Sequence, residues 1–245
     1  MKPDHSRLPP APVTAGRFVR FTAFVAGAAR DGERLLKACR AERGRRHVHA
    51  LRVASRRLEA CLHLAAPLVP RKTRRAARRA LADVLAALGR FRDATVQCRL
   101  ARALCAGLAD YGELDRRLAQ RERRERKAAM AALARVRFHR PLRAVLAALR
   151  ARAGSAEIDS RLEAGLRRVL QRDGERMRKR WPRAAEDSAA FHRARVALKR
   201  YRYEIEALPS LLGGRRAPGT AALRLRQRQL GELHDDELLL ARVTK

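Results

Sequence analysis

Apolar residues recur every three or four positions along most of the chain, which is the spacing of one face of an α-helix. Ala, Leu and Arg dominate the composition and β-branched residues are sparse, so summed helix propensity points the same way. Phe18, Phe21 and Phe24 show the pattern near the start, and we expect them in the core. The pattern therefore predicts an all-α fold.

Prolines and glycines divide this pattern into separate helices. In the first half, helices are predicted over about 15–43, 46–66, 71–88 and 92–108, with Gly89 as the break between the last two. In the second half, they are predicted over about 157–180 and 188–208, followed by one that ends near Leu230 and a last one cut short. Residues 1–14 contain four prolines without apolar periodicity, so we predict a disordered leader there.

The segment between the halves, about 110–153, carries the densest mixed charge of the chain. Charges of both signs alternate along it, which is typical of a solvated, salt-bridged helix rather than a ligand site. Pro141 fits the first turn of a helix, where its missing N–H costs nothing. The segment is therefore predicted to be a helical hairpin with Pro141 near the start of its second arm.

Three segments of the chain occur twice, in the same order and at nearly equal spacing. His49–Arg57 and His192–Arg200 both read H-x-x-R-V-x-x-[RK]-R. The sequence R-D-G-E-R occurs at 30–34 and at 172–176, and L-G-x-x-x-D occurs at 88–93 and at 230–235. Such a duplication predicts one pseudo-symmetric domain over 15–245, built from two four-helix repeats, about 15–109 and about 154–245, joined by the hairpin.

On a helix, each copy of the histidine motif separates into a cationic face and an apolar face. His49, Arg52 and Arg56 share the cationic face of the first copy, and His192, Arg195 and Lys199 share that of the second. The helix predicted over 71–88 adds a second basic row. The candidate phosphate-binding residues from this row are Arg75, Arg78 and Arg79.

The formal net charge is +33, from 58 basic and 25 acidic residues. Such self-repulsion predicts a polyanionic partner. Only 7 of the basic residues are Lys, and the planar Arg fork matches phosphate oxygens bidentately. A non-specific nucleic-acid binder is the main alternative, although the 10 aromatic residues provide little for bases to stack on.

The two histidine motifs, each followed about 40 residues later by L-G-x-x-x-D, resemble the conserved histidine α-helical domain (CHAD) family over roughly residues 15–245. The resemblance implies a helical bundle with a basic central channel or groove. It also implies binding of inorganic polyphosphate and association with polyphosphate granules in the cytoplasm. Carried over onto the matching positions, the lining would be His49, Arg52, Arg56, Arg57, His192, Arg195, Lys199 and Arg200.

Other chemistry finds little support in the sequence. Asp93 and Asp235 follow the L-G step, where each could cap a helix or pair with a motif arginine, so we regard both as structural. His47 and His49 point in different directions on a helix, and no metal site is predicted. Catalytic residues, a cofactor and a membrane partner are not expected either, and the four cysteines show no paired spacing.

Overall fold

The computed structural model describes residues 16–42, 45–105, 107, 111–155, 157–208 and 220–243. Within these ranges the chain forms eight α-helices and one short 3-10 helix, and no strand. This confirms the all-α prediction, whereas the predicted leader lies outside the described residues. The helices are α1 (Arg17–Glu42), α2 (Arg45–Leu64), α3 (Arg71–Cys105), α4 (Tyr111–Arg135), α5 (His139–Arg150), α6 (Ile158–Arg180), the 3-10 helix (Pro182–Ala185), α7 (Ser188–Ala207) and α8 (Thr220–Val243).

The break predicted at Gly89 is wrong. Helix α3 continues through Gly89, and α8 continues through Gly231, so the third and fourth helices of each repeat follow one another without interruption. A glycine inside a helix costs only about 1 kcal/mol. Leu88 and Phe91 are buried on either side of this site, and their burial is large enough to offset that cost.

The segment between the repeats, predicted to be a hairpin, forms two helices, α4 and α5, and Pro141 stands in the first turn of α5. Helix α4 packs along α3, and α5 packs on α3 and α1. Polar contacts fix the register of α3 and α4, since Thr95 Oγ1 donates to Glu122 Oε1 at 2.8 Å and Arg121 donates to Gln97 Oε1 at 2.7 Å. The hairpin is therefore part of the fold rather than a loose linker.

The two repeats meet along α2 and α7, which pack against each other. A second junction lies where Gly165 of α6 approaches Pro67, because a Cβ at this glycine would collide with the proline ring. The backbone N–H of Phe18 donates to Asp159 Oδ1 at 2.6 Å, so an acid of the second repeat satisfies an unpaired N–H at the start of α1. These contacts hold the pair of motif helices side by side.

The main core lies in the first repeat and the hairpin, and α6 adds one face to it. Phe18 and Phe21 are buried as predicted, and Phe24 packs partly buried against the same core. All four cysteines are buried and free. None of the described helices is long and apolar enough to cross a membrane.

Candidate anion-binding site

The apolar faces of the motif helices are buried, and this burial fixes where their cationic faces point. In α2 the buried face includes Leu51, Leu58 and Leu62, and in α7 it includes Ala194 and Leu198. The opposite rows of α2 and α7 meet where α3 and α8 also pack against these two helices. The site therefore lies at the meeting of four helices, two from each repeat.

Lys199 marks the centre of this site. Burial lowers the pKa of its ammonium group to about 7, and the charges of Arg195, Arg92, Arg56 and Arg52 contribute to this lowering in that order. The same groups influence one another, because the pKa of Arg52 and that of Arg195 are both lowered, first by burial and next by Arg92. These five residues, Arg52, Arg56, Arg92, Arg195 and Lys199, are called the cation cluster below.

Arg195 is the most buried arginine of the cation cluster, with 9% of its surface exposed. Its Nε is buried and has no hydrogen-bond partner among the described residues. A buried donor without a partner costs roughly 1–3 kcal/mol. Such a donor beside other cations is a site where an anion would bind favourably.

Arg92 is the cluster member that forms ion pairs with two carboxylates. Its guanidinium donates to both oxygens of Asp235 at 2.8 Å and to Asp93 at 3.1 Å. Burial lowers its pKa, but the hydrogen bonds with Asp235 and Asp93 outweigh this effect and raise the pKa above its ordinary value. Asp235 therefore ties α8 to α3 across the site.

This pairing corrects the two alternatives left open for the acids of the L-G-x-x-x-D segments. Asp93 and Asp235 lie inside α3 and α8 rather than at a helix start, so neither caps a helix. Both contact an arginine, but the guanidinium that they hold is Arg92 rather than a motif arginine. Arg92 was missed because a single arginine next to an acid gives no periodic signal of its own.

The motif histidines lie at the edge of the cluster. His49 and His192 are both exposed, and each precedes a cluster arginine by about one helical turn. Burial, followed by the charges of Arg195 and Lys199, lowers the pKa of His192. His192 therefore lies beside the cluster, and His49 holds the equivalent position on α2.

Not every predicted lining residue belongs to the cluster. Arg57 is exposed and its charge acts on the Cys61 thiol of the core face. Arg75 and Arg79 are exposed on α3, roughly four to five turns before Arg92. Arg78 and Arg200 act instead on His63, which lies about four turns beyond His49 on α2.

His63 is the centre of a second group of polar residues, called the buried network below. Its Nδ1 lies 2.6 Å from Glu204 Oε1 and 3.2 Å from Asp173 Oδ2. Its Nε2 receives hydrogen bonds from Arg172, at 2.7 Å, and from Arg200. The buried network comprises His63, Arg172, Asp173, Arg200 and Glu204, and it ties α2 to α6 and α7.

One proton on Glu204 makes the buried network consistent. Burial and the charge of Asp173 raise the pKa of Glu204 to about 8. Burial and the charge of Arg200 lower the pKa of His63 to about 3, so its ring is neutral, with Nδ1–H donating to Glu204. Burial alone would raise the pKa of Asp173, but Arg200 and the hydrogen bond with Glu204 lower it.

His63, Asp173 and Glu204 are also the one set in the described part of the chain with the residue types and spacing of a metal site, all within 4.8 Å. However, Arg200 Nε already lies 2.9 Å from Asp173 Oδ2 and 3.3 Å from Glu204 Oε1. A divalent ion would have to displace this guanidinium and the protons held by Glu204 and His63 Nδ1. The arrangement thus favours a hydrogen-bonded structural network over a metal centre.

Comparison with known proteins agrees with this architecture. The sequence model of the CHAD domain matches residues 26–244. A crystal structure of the CHAD domain from the plant Ricinus communis superimposes with a TM-score of 0.73 at 24% identity, covering 96% of this chain and 80% of that one. The structure of PptA from Streptomyces chartreusis gives a TM-score of 0.60 at 21% identity, covering 94% of this chain and 100% of that one. No curated protein sequence matches the chain.

Proposed function

This chain belongs to the CHAD family, and from that membership and the cation cluster we propose that it binds inorganic polyphosphate at the junction of α2, α3, α7 and α8. The observation that carries the proposal is the unpaired Nε of Arg195, which is buried beside Lys199 and three further arginines. A CHAD domain is a binding module, and we propose no reaction for it.

The electrostatics of the cluster favour an anion strongly. Burial first, and repulsion by neighbouring arginines second, disfavour the charged forms of Arg52, Arg195 and Lys199, and their lowered pKa values express that cost. Phosphate oxygens would reverse it, because hydrogen bonds to charged groups contribute about 1.5–3 kcal/mol each. Asp235 would keep the Arg92 fork in place while the neighbouring cations bind phosphate.

Polyphosphate suits the cluster better than nucleic acid does. It carries charge on every phosphate and no bases, so its receptor needs fixed cations and no stacking surface. Two aromatic rings that lie close to basic groups are already engaged, since Arg202 stacks on Tyr203 at 4.1 Å and Arg226 lies over Trp181 at 5.3 Å. Nucleic acid held by its phosphates alone is the competing function, because it uses the same cations.

A competition titration separates the two functions. Labelled long-chain polyphosphate is bound to the protein and then displaced with duplex DNA, single-stranded RNA or short phosphates at equal charge concentration. We expect the nucleic acids to displace it poorly. Displacement by DNA at a comparable charge concentration would identify the protein as a general polycation.

Matched double variants test whether the cluster is the site. Arg52→Gln with Arg195→Gln removes two cluster charges, and Arg123→Gln with Arg124→Gln removes two exposed charges of α4. The first pair should weaken polyphosphate binding by about 3–6 kcal/mol, since each contact is worth about 1.5–3 kcal/mol. The second pair should change it little, and equal losses would mean that only total charge matters. Circular dichroism confirms that both variants are folded.

The same variants extend the proposal to the cell. We propose that the protein associates with polyphosphate granules through the cluster. A fluorescent fusion should co-localise with granules, and the Arg52→Gln, Arg195→Gln variant should be dispersed while the Arg123→Gln, Arg124→Gln variant should not.

A further inference from the structure

We propose that Lys199 is a modification site, where small acyl phosphates bound by the cation cluster transfer their acyl group to the side-chain amine. This inference rests on the cluster as a phosphate site, which it shares with the proposed function, but it does not require polyphosphate to be the ligand. It is carried by the arginines around Lys199, by the position of the nearby acids and by the access that its side chain keeps to solvent.

Lys199 lies among positive charges and has no acid to pair with. The charges that act on it most strongly are those of the four cluster arginines, and His192 is a further titratable group beside it. Among the described residues no carboxylate pairs with its ammonium group, and the acids of the site, Asp93 and Asp235, contact Arg92 instead. A lysine that is desolvated next to other cations is an activated nucleophile, because its neutral amine is present near neutral pH.

The amine can also be reached from outside. Lys199 keeps part of its surface exposed, so a small molecule can approach it. The position equivalent to Lys199 in the first repeat is Arg56, and a guanidinium stays protonated and does not react in this way. The second repeat therefore brings to the cluster one group that can be acylated.

The cluster provides a site for the phosphate part of the reagent. The Nε of Arg195 is buried without a hydrogen-bond partner among the described residues, so a phosphate oxygen can accept from it. In an acyl phosphate the carbonyl carbon is bonded to a phosphate oxygen, so binding of the phosphate beside Lys199 brings the carbonyl close to the amine. The arginines also stabilise the charge of the phosphate that leaves.

The reaction needs no further reactant. The lone pair of the Lys199 amine attacks the carbonyl carbon, and a C–N bond forms. The C–O bond to the phosphate breaks, inorganic phosphate leaves with that electron pair, and the nitrogen releases a proton to solvent. The product is a neutral amide, which removes one charge from the cluster. Acylation should therefore weaken phosphate binding at the cluster.

Acetyl phosphate is the probe for this reaction, and peptide mass spectrometry measures the acetylation rate of each lysine. The exposed lysines Lys37, Lys72, Lys127 and Lys179 are internal controls in the same sample. At about pH 7.5 we expect Lys199 to react at least about tenfold faster than these four, because an ordinary lysine is almost fully protonated there. Its rate should be half-maximal near pH 7. A rate at Lys199 no higher than at the exposed lysines would overturn the proposal.

An acetyl donor without phosphate, N-hydroxysuccinimidyl acetate, separates phosphate binding from simple reactivity of the amine. Arg195→Gln should slow the reaction of Lys199 with acetyl phosphate roughly tenfold or more, because a charge-assisted contact to phosphate is lost, and should affect the neutral donor much less. Arg124→Gln, which removes an exposed charge of α4, should change neither rate. Equal preference of both donors for Lys199 in the native protein would overturn the proposal.

Protection experiments distinguish this proposal from the proposed function. Pyrophosphate should protect Lys199 from acetyl phosphate, because both occupy the cluster, and a failure to protect would contradict the proposal. Long-chain polyphosphate should protect as well, and the acetylated protein should bind it roughly tenfold more weakly. If pyrophosphate protects Lys199 and polyphosphate does not, the modification site stands and the proposed function fails. If polyphosphate binds but Lys199 reacts no faster than the exposed lysines, the proposed function stands and the modification site fails.

Discussion

The buried ammonium of Lys199 predicts that polyphosphate binding weakens as the pH rises above neutrality. In the protein without ligand the pKa of Lys199 is lowered to about 7 from its ordinary 10.5, first by burial and then by four neighbouring arginines. Phosphate oxygens favour the charged form, so its pKa rises on binding. At a pH where Lys199 is neutral in the unbound protein, binding is therefore accompanied by uptake of a proton.

The sign and the size of the pH dependence follow from this linkage. Below the pKa of Lys199 in the unbound protein, the group is charged with and without ligand, and its contribution to affinity is fully present. Above that pKa the contribution is lost by about 1.36 kcal/mol per pH unit until the bound pKa is reached. Between about pH 6.5 and 8.5 the expected loss is therefore about 2 kcal/mol, or roughly ten- to a hundredfold in affinity. His192, whose pKa is also lowered, acts in the same direction at lower pH.

Lys199→Arg is the matched control, because a guanidinium stays charged throughout this range. The dissociation constant is measured by titration at constant ionic strength, with the same polyphosphate for both proteins, so that titration of the ligand itself cancels. We expect the loss above pH 7 to disappear in Lys199→Arg. If the variant loses as much affinity as the native protein, Lys199 does not bind phosphate, and the dependence comes from elsewhere. His192→Gln isolates the remaining imidazole contribution.

Three further outcomes are expected. The slope of log affinity against log salt concentration should be roughly −3 to −5, because each neutralised phosphate contributes about 0.7 and the cluster contains few cations. A slope beyond about −10 would indicate that the anion binds over the whole basic surface. Asp235→Asn should lower the free energy of unfolding by about 1–3 kcal/mol, because Arg92 loses its charged partner, and should weaken polyphosphate binding, because the Arg92 fork is no longer held in place; tighter binding would mean that the Asp235 carboxylate competes with the ligand. For Glu204, the raised pKa of about 8 means that its contribution to stability is lost as the pH rises through that value. Glu204→Gln should therefore remove a decline of about 2 kcal/mol that denaturant unfolding should detect between about pH 6.5 and 8 in the native protein.

Helical spacing was sufficient to predict the fold class and the orientation of the motif helices. It separated Arg52 from Leu51 and Arg195 from Ala194 correctly, because a face of fixed period is a local property of the sequence. The helix break at Gly89 could not be judged locally. Whether a glycine ends a helix depends on the packing of its neighbours, which in α3 involves the distant helices α4 and α5.

The site was predicted only as far as the motifs reach. Arg56 and Lys199 follow from the repeated pattern, but Arg92 enters the site through its pairing with Asp235 on another helix. Arg200 is the opposite case: it belongs to the motif and was predicted to line the site, yet it lies in the buried network. A rotation of about 100° from Lys199 is enough to direct its side chain to Asp173 rather than to the cluster. Contacts between distant segments decide both cases, and no spacing along one helix contains them.

The two repeats differ outside the cation cluster, at the position that His63 occupies in the first repeat. When the two histidine motifs are aligned, the position equivalent to His63 is Glu206, which accepts from Arg202 at 2.5 Å and from Arg224 at 2.6 Å within its own repeat. At the cation cluster, by contrast, the motif helices match: Arg52 and Arg195 occupy equivalent positions, as do Arg56 and Lys199, while Arg92 of α3 has a histidine as its counterpart. The two motif rows thus offer similar cations to a ligand entering from either end. Linear polyphosphate is identical in both directions, whereas a nucleic-acid strand has a fixed polarity. The symmetry of the cluster is therefore a property that the proposed ligand can use in full and the competing one cannot.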